Sequence, residues 1–318
     1  MTSPDENEVM AYFQTLSNAG RWGADDELGT LNLITAEKRV QAARLVQSGS
    51  VVSCSWVLES GDAPDQVYGP MQRYMLMTGQ GLQDEHQVDT AETLNRGPIE
   101  YIGLVYHGLH VTHLDALCHS IWDKRMYNDV PASEVSAVSG ANRLAVTVAR
   151  HGIVTRGILL DVARSQGVDW LEPGVGVTAD DLNRAAAKCG VQPSAGDAVL
   201  LRTGYGARRR ARGREDLRAI GQPGWGASCL PWLHERDIAV IGCDTAQEAR
   251  PSPYPAFGHG PVHRVGIVAM GLWLLDNCDL EELAEACAAH GRWEFQFVLA
   301  PLPIEGGTGS PANPLAVF

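Results

Sequence analysis

The sequence predicts an α/β fold, because strand-like apolar runs alternate with helix-start signals along the chain. The segments Val154 to Val162, Ala198 to Arg202 and Ile238 to Cys243 are rich in Val, Ile and Leu and predict strands. Between the first two, Thr178-Ala179-Asp180-Asp181 is typical of a capped helix start, and we expect this helix to run through Lys188. The chain has 318 residues and 45% hydrophobic content, enough for one large core, so we expect a single domain over residues 1–318.

The N-terminal part of the chain predicts short elements. Residues 1–20 are expected to form an extension with a helix from Glu8 to Ala19. Thr35 can accept a hydrogen bond from the Lys38 amide and so cap a helix that includes Arg39 to Gln47. Val51 to Leu58 is typical of a strand.

Residues 59–95 are polar with weak periodicity, which predicts a long loop or excursion that covers a site. Four of its side chains are candidates for a substrate pocket, with ordinary packing as the alternative: Tyr68, Met71, Tyr74 and Met75.

The later part of the chain adds a basic run and a helix. Arg208 to Arg214 is basic inside an acidic protein and predicts a solvated loop, with a phosphate clamp as the less favoured alternative. Asp244 ends the strand that begins at Ile238, a common position for a functional side chain in α/β proteins. Pro261 begins a helix-like stretch through Leu275, with His263 in its first turn.

Charge and cysteine content exclude several classes. The net charge of −13 argues against a nucleic-acid partner, which needs a concentrated basic face. Seven cysteines without a Cys-x-x-Cys pair indicate reduced thiols. Residues 1–8 lack a signal-peptide pattern and no long apolar run occurs, so we expect a cytoplasmic protein that does not span a membrane.

The commonest catalytic motifs are missing from the sequence. There is no GxSxG elbow, no HExxH helix and no GxxxxGK[ST] loop, which excludes the usual serine hydrolases, zincins and nucleotide-binding proteins. Gly258-His259-Gly260 lacks the third glycine of a dinucleotide fingerprint, and we interpret His259 as a loop residue that can at most assist a neighbouring site.

The stretch from Tyr106 to His119 concentrates the candidate chemistry. It contains four of the ten histidines, at positions 107, 110, 113 and 119, together with Asp115. In an extended chain His113, Asp115 and His119 share one side, whereas His110 joins them only if the backbone bulges. One such histidine alone is more often an ordinary packed residue. The cluster instead predicts a site for a divalent cation such as Zn²⁺ or Mn²⁺, because burying these groups without a partner costs free energy.

These residues resemble the signature of the metal-dependent cyclase-like hydrolase family, to which bacterial kynurenine formamidase, isatin hydrolase and a trans-dienelactone hydrolase belong. Its short members carry His-x-Gly-Thr-His-x-Asp-x-Pro-x-His, and Thr112, His113, Asp115 and His119 match its Thr, second His, Asp and last His. The departures are Leu109 for the first His, Val111 for Gly and Leu117 for Pro. The resemblance is to a longer branch, in which His110 or His107 supplies the first ligand.

Further matches run in the same order along most of the chain, from Arg21-Trp22-Gly23 to Gly306-Gly307-Thr308-Gly309. The resemblance implies that His263 and Asp276 are distal ligands, although the family usually has Glu at the second position. The implied metal ligands are His110, His113, Asp115 and His263, with His107 and Asp276 as further candidates, and the implied proton-transfer residue is His119. Asp244 and Thr112 are expected to orient ligands or contact substrate.

The resemblance implies a swivelling β/β/α fold with a mixed, barrel-like sheet, and a homodimer or homotetramer. It implies hydrolysis of a small carbonyl substrate, by opening a cyclic amide or lactone or by cleaving a related amide. A metal-dependent lyase or cyclase, and a binding protein without activity, are the alternatives.

Overall fold

A computed structural model of the chain describes residues 3–80, 97–258 and 260–318. Strands and helices alternate along these residues, which confirms the α/β class. The described strands, in chain order, are Val51–Ser53 (β1), Gln72–Met77 (β2), Ile99–Gly103 (β3), His113–Asp115 (β4), Val135–Ser136 (β5), Gly140–Ala141 (β6), Ile153–Asp161 (β7), Gly176–Val177 (β8), Ala198–Arg202 (β9), Gly224–Trp225 (β10), Val240–Cys243 (β11), Trp273–Asp276 (β12), Glu294–Leu299 (β13), Gly309–Pro311 (β14) and Leu315–Val317 (β15).

The described helices cover the sheet. They are Glu6–Thr15 (α1), Ala36–Ala43 (α2), Val162–Gln166 (α3), Ala179–Cys189 (α4), Tyr205–Arg212 (α5), Leu217–Ile220 (α6), Cys229–Glu235 (α7) and Glu281–His290 (α8), a π-helix at Val262–Ala269, and short 3₁₀ helices at Gly29–Leu33, Tyr127–Asp129, Ala132–Glu134, Val146–Ala149 and Pro255–Phe257. Within the described residues, no helix combines the length and the apolar character needed to cross a membrane.

One mixed sheet of nine described strands organises the molecule, in the order β1, β15, β13, β7, β9, β11, β12, β4, β14. Its centre, β7, β9, β11 and β12, is parallel. β9, β11 and β12 are buried along their whole length, which explains their continuous apolar runs. The short strand β4 lies antiparallel between β12 and β14, so both of its neighbours hold its backbone in place.

Two helix starts follow the predicted capping chemistry. The Thr35 side chain accepts from the Lys38 amide at the start of α2, as predicted. Thr178 and Asp181 form a reciprocal capping box at the start of α4, which ends near the expected position. All seven cysteines lie in the described ranges and none forms a disulfide, in line with the expected free thiols.

Several predicted extended segments are shorter in the structure. The strand predicted to run to Leu58 ends at Ser53, and the central stretch is strand only over His113–Asp115. Residues 59–95 are not loop throughout, because β2 pairs with β3 as a separate hairpin. Residues 81–95 of that segment lie outside the described ranges. Met71 is buried, while Tyr74 and Met75 are exposed on the hairpin. Of the four pocket candidates, only Tyr68 lines the cavity that also contains His107, His113 and His119.

The prediction of a loop at Arg208 to Arg214 is wrong, although residues 210–213 are exposed as expected. Most of this run forms helix α5, and the Arg208 side chain is only 6% exposed. Arg208 pairs with Glu172 at 2.8 Å and with Glu215 at 2.7 Å. The Arg208 charge can be buried because these two carboxylates neutralise it.

The helix predicted from Pro261 to Leu275 is also too long. A π-helix covers Val262–Ala269, and β12 follows at Trp273–Asp276. Gly271 adopts a φ of +62°, and an added Cβ would lie 2.5 Å from the Tyr127 ring, so this turn requires glycine. Asp276 therefore lies at the end of a strand.

Candidate metal centre

A buried carboxylate without hydrogen bonds lies at the middle of the site. Asp115, on β4, has no exposed surface, and neither of its oxygens has a hydrogen-bond partner among the described residues. Burial raises the pKa of Asp115, but the surrounding histidines, His119 foremost, outweigh this and hold the pKa well below its usual range. An ionised, buried carboxylate of this kind requires a positive partner.

His113 and His263 direct a nitrogen lone pair at that carboxylate. The Nδ1 of His113 donates to the Val111 carbonyl at 2.8 Å, which leaves Nε2 as the acceptor nitrogen, 3.4 Å from Asp115 Oδ1. His263, in the first turn of the π-helix, donates Nδ1 to Glu248 at 2.7 Å, and its Nε2 lies 3.4 Å from Asp115 Oδ2. Lone pairs facing carboxylate oxygens repel one another unless a proton or a cation lies between them.

The charges around these two rings favour a proton on each of them. Burial lowers the pKa of both rings, yet nearby carboxylates outweigh it and raise the pKa of His113 and, more strongly, of His263. Glu248 is the largest of the raising influences at His263. A divalent cation would replace these protons, since metal binding to histidine releases them.

His107 and His119 form the second side of the cluster. The Nδ1 of His107 lies 3.0 Å from Asp115 Oδ1 but without hydrogen-bond geometry, and its Nε2 lies 2.9 Å from the Thr308 hydroxyl. The two imidazole rings stack with centroids 3.8 Å apart. His119 Nε2 is 3.9 Å from Asp115 Oδ2. Burial, together with the neighbouring histidines, lowers the pKa of His119 to about 4 despite Asp115.

Asp276 completes the cluster from β12. Its backbone is in register with His113 on β4, so a side chain one methylene shorter than Glu still reaches the site. Gln247 donates to Asp276 Oδ1 at 2.8 Å, while Oδ2 lies 3.5 Å from His263 Nε2 and 3.9 Å from His113 Nε2.

The donor set fits a divalent cation. Two groups have all their ligand atoms within 4.8 Å of one another, His107 with Asp115 and His119, and His113 with Asp115 and Asp276. Both use Asp115. Imidazole nitrogen and carboxylate oxygen are the donors that Zn²⁺ and Mn²⁺ accept, and the ring protons fixed on Nδ1 are those expected of metal-binding histidines.

A cavity of about 370 Å³ opens onto this cluster. The cluster residues His107, His113, His119, His263 and Asp276 form one side of its lining. The remaining lining includes Tyr68, Leu109 and three arginines, Arg218, Arg250 and Arg264. The volume suits a small-molecule ligand.

The profile of the putative cyclase family matches residues 38–248. The chain belongs to this family. Its fold is similar to the crystal structure of a novel cyclase, with a TM-score of 0.86 and 32% identity over 96% of this chain and 99% of that one. This similarity confirms the cyclase-like fold and the expected family.

Two isatin hydrolases share the fold of this cyclase family member more distantly. One, bound to the product analogue thioisatinate, has a TM-score of 0.57 and 19% identity over 89% of this chain and 99% of its own. Isatin hydrolase A from Labrenzia aggregata, bound to benzyl benzoate, has a TM-score of 0.56 and 22% identity over 86% and 94% of the two chains. No curated protein matches the sequence.

The structure of this cyclase family member leaves His110 outside the cluster. Its Nδ1 is buried without a hydrogen-bond partner among the described residues, and the charged groups that act on it are Asp65, Arg214, Arg209 and His113. The strand begins only at His113, so strand alternation does not extend to His110. Of the two candidates for the first ligand, His107 is the one that lies beside Asp115, at 3.0 Å.

Asp244 and Thr112 were expected to orient ligands or contact substrate, but their hydrogen bonds in the structure are to other groups. Asp244 accepts from the Thr203 hydroxyl at 2.7 Å and from the backbone amide of Gly204 at 2.8 Å, beside the start of α5, and so does not orient a histidine. Thr112 donates to the Asn277 carbonyl at 2.7 Å and accepts from the Trp56 amide, so it fastens the entry to β4. His259 lies outside the described residues.

Sequence reasoning missed Glu248 and Gln247, which orient His263 and Asp276. Both are buried, and both follow β11 in the segment that also carries Asp244. In the sequence, these residues are visible only as two long polar side chains shortly after a buried strand. This pattern does not identify the residues that they contact, which lie 15 residues after Glu248 and 29 residues after Gln247.

Proposed function

We propose that this protein is a metal-dependent hydrolase that opens a small cyclic amide or lactone, or cleaves a related amide. The observation that carries the proposal is Asp115, a buried carboxylate with no hydrogen-bond partner among the described residues, facing imidazole nitrogens on several sides. Family membership and the fold shared with hydrolases support it.

The cation would be held by His113, Asp115, His263 and Asp276. His107 approaches the same oxygen of Asp115, Oδ1, that His113 faces. Zn²⁺ or Mn²⁺ bound there would lower the pKa of a water molecule to near neutrality and polarise a carbonyl oxygen. The protein contributes rigidity, because the Val111 carbonyl and Glu248 fix the two ring orientations and Gln247 fixes Asp276.

His119 would move the proton. With a pKa of about 4, its ring is neutral near pH 7 and can accept a proton. Its side chain is 29% exposed and lines the cavity, so it can reach both the attacking water and a bound substrate. Returning that proton to the leaving nitrogen or oxygen completes the cleavage.

The substrate would be a small molecule that enters the cavity beside His119. We also propose a homodimer or homotetramer in the cytoplasm, from family resemblance, and light scattering would measure the mass against the 34.3 kDa of one chain.

Metal analysis of purified protein, followed by a screen of lactones, cyclic imides and N-formyl anilines, tests the proposal. We expect tightly bound zinc or manganese, and incorporation of ¹⁸O from labelled water into the product. His113→Ala should lose both metal and turnover. Turnover without ¹⁸O incorporation would indicate a lyase or cyclase, and full metal content in His113→Ala would contradict the ligand assignment.

A further inference from the structure

The cavity has three arginines in its lining, although the net charge of the protein is −13. Arg218, Arg250 and Arg264 all line the cavity. Arg218 has an acidic partner, Asp216, 3.3 Å away. Arg264 donates to neutral oxygens, the Ser120 hydroxyl at 3.3 Å and the Ile121 carbonyl at 3.1 Å.

Arg250 has fewer side-chain partners among the described residues than Arg218 or Arg264. Among the described residues, its buried Nε has no hydrogen-bond partner, and no ion pair includes its guanidinium. A buried N–H group without an acceptor costs free energy comparable to a lost hydrogen bond. Such a group in a cavity wall is available to a ligand.

The backbone of Arg250 is held firmly. Its amide donates to the Gln222 carbonyl at 2.8 Å, and the Gln222 amide donates back to the Arg250 carbonyl at 3.0 Å. The Gln222 side chain donates to the Glu248 carbonyl at 2.9 Å. A Cβ on Gly221 would lie 2.1 Å from the Arg250 carbonyl oxygen, so this close approach requires glycine. The fold therefore fixes the backbone from which the Arg250 side chain extends.

This segment also connects Arg250 to the candidate metal centre. Glu248 and Arg250 lie two residues apart, and each takes part in an isolated β-bridge. Glu248 holds His263, which faces Asp115. Arg250 thus lies beside the residue that anchors a candidate ligand.

With a divalent cation bound and the histidines neutral, the charges around the cavity would leave a positive surplus. Three carboxylates, those of Asp115, Asp276 and Glu248, would offset three of the four positive charges, two on the cation and one each on Arg250 and Arg264. One positive charge would remain without a negative partner among the described residues. An anionic ligand would neutralise it.

We propose that Arg250 is an anion subsite and that the substrate carries a carboxylate in addition to the carbonyl group that is attacked. A guanidinium binds a planar carboxylate through two parallel N–H donors, which both holds and orients it. The cavity volume of about 370 Å³ admits a small aromatic or heterocyclic acid. This inference rests on the proposed hydrolase function and specifies its substrate class.

The test uses anthranilate, a fluorescent aromatic carboxylate, and 2-aminobenzamide, its uncharged counterpart of similar size. Binding is measured by fluorescence titration with metal-loaded protein and again after chelation. Wild-type protein should prefer anthranilate at least tenfold in both states. Arg250→Gln should weaken anthranilate binding at least tenfold in both states and leave 2-aminobenzamide unchanged, while Arg250→Lys should restore part of the affinity.

Arg184→Gln is the matched control, because it removes one arginine whose side chain is 63% exposed and which does not line the cavity. It should bind both probes as wild-type protein does. Equal anthranilate affinity in Arg250→Gln and wild type would overturn the subsite. So would anthranilate binding that disappears on chelation, because the carboxylate would then contact the cation alone.

The subsite and the hydrolase can fail separately. If purified protein holds no metal yet Arg250 still determines anthranilate binding, the subsite stands and the hydrolase fails. If Arg250→Gln does not fold, the affinities of wild-type protein for the two probes test the subsite instead. Equal affinities for anthranilate and 2-aminobenzamide would then overturn the proposal.

Discussion

Glu248→Gln tests the proposed metal centre without removing a proposed ligand. Glu248 Oε2 and Oε1 lie 2.7 and 2.8 Å from His263 Nδ1, and Oε1 also accepts the His263 amide at 2.6 Å. The carboxylate side chain is only 2% exposed, so water cannot replace it. Glutamine keeps the volume and one acceptor oxygen but removes the charge that supports His263 as a ligand.

The expected loss of metal affinity is about 10–100-fold, the usual effect of removing a partner of a metal-binding histidine. This corresponds to about 1.4–2.7 kcal/mol. Competition against a chromophoric chelator at neutral pH measures the affinity for Zn²⁺ and Mn²⁺ separately. Circular dichroism checks that the variant is folded.

Glu172→Gln is the control, because it makes the same chemical change at a side chain that is 63% exposed and pairs with Arg208 away from the cluster. It should bind metal as wild-type protein does. A folded Glu248→Gln variant with unchanged affinity for both metals would refute the argument that Glu248 prepares His263 to bind a cation.

Three further predictions concern His119, the pH dependence of metal binding and a helix cap. His119→Ala should keep its metal but lower kcat by about 10²–10⁴-fold, as for other proton-transfer residues; loss of metal would make His119 a ligand instead. The pKa values of metal-free His113 and His263 lie above the usual 6.5, so protons still compete with the cation above pH 6.5. Metal affinity should therefore rise as the pH increases through and beyond 6.5. A metal affinity that does not change with pH in chelator competition would contradict this. Thr178→Ala should lower the free energy of unfolding by about 0.5–2 kcal/mol in urea titration, while Thr178→Ser should lose little; equal stability of the alanine variant and wild type would show that the cap contributes nothing.

Local signals predicted the parts of the fold that depend on neighbouring residues. The caps at Thr35 and Thr178 are as predicted, because the side chain and the amide that it accepts from are only three residues apart. The strand at Ala198–Arg202 has the predicted bounds, because its apolar run is buried throughout. The burial of Arg208 was not predictable in this way, since one of its partners, Glu172, lies 36 residues away.

The candidate site also has parts that local sequence signals predicted and parts that they did not. Strand alternation correctly grouped His113 and Asp115, which lie within β4. It did not distinguish His107 from His110, because both precede the strand, in a loop whose path depends on Asn277. The Asn277 side chain donates to the carbonyls of Gly108 and Val111 at 2.8 and 3.1 Å.

The sequence by itself determined the α/β class, the family resemblance and the residue types able to bind a divalent cation, because these depend on composition, periodicity and short motifs. Only the tertiary structure decided that His107 reaches Asp115, that Glu248 holds His263 and that Arg250 faces the cavity without a partner among the described residues. These are contacts between segments far apart in sequence. Their distances depend on how β4, β12 and the π-helix pack, and no local pattern records that packing.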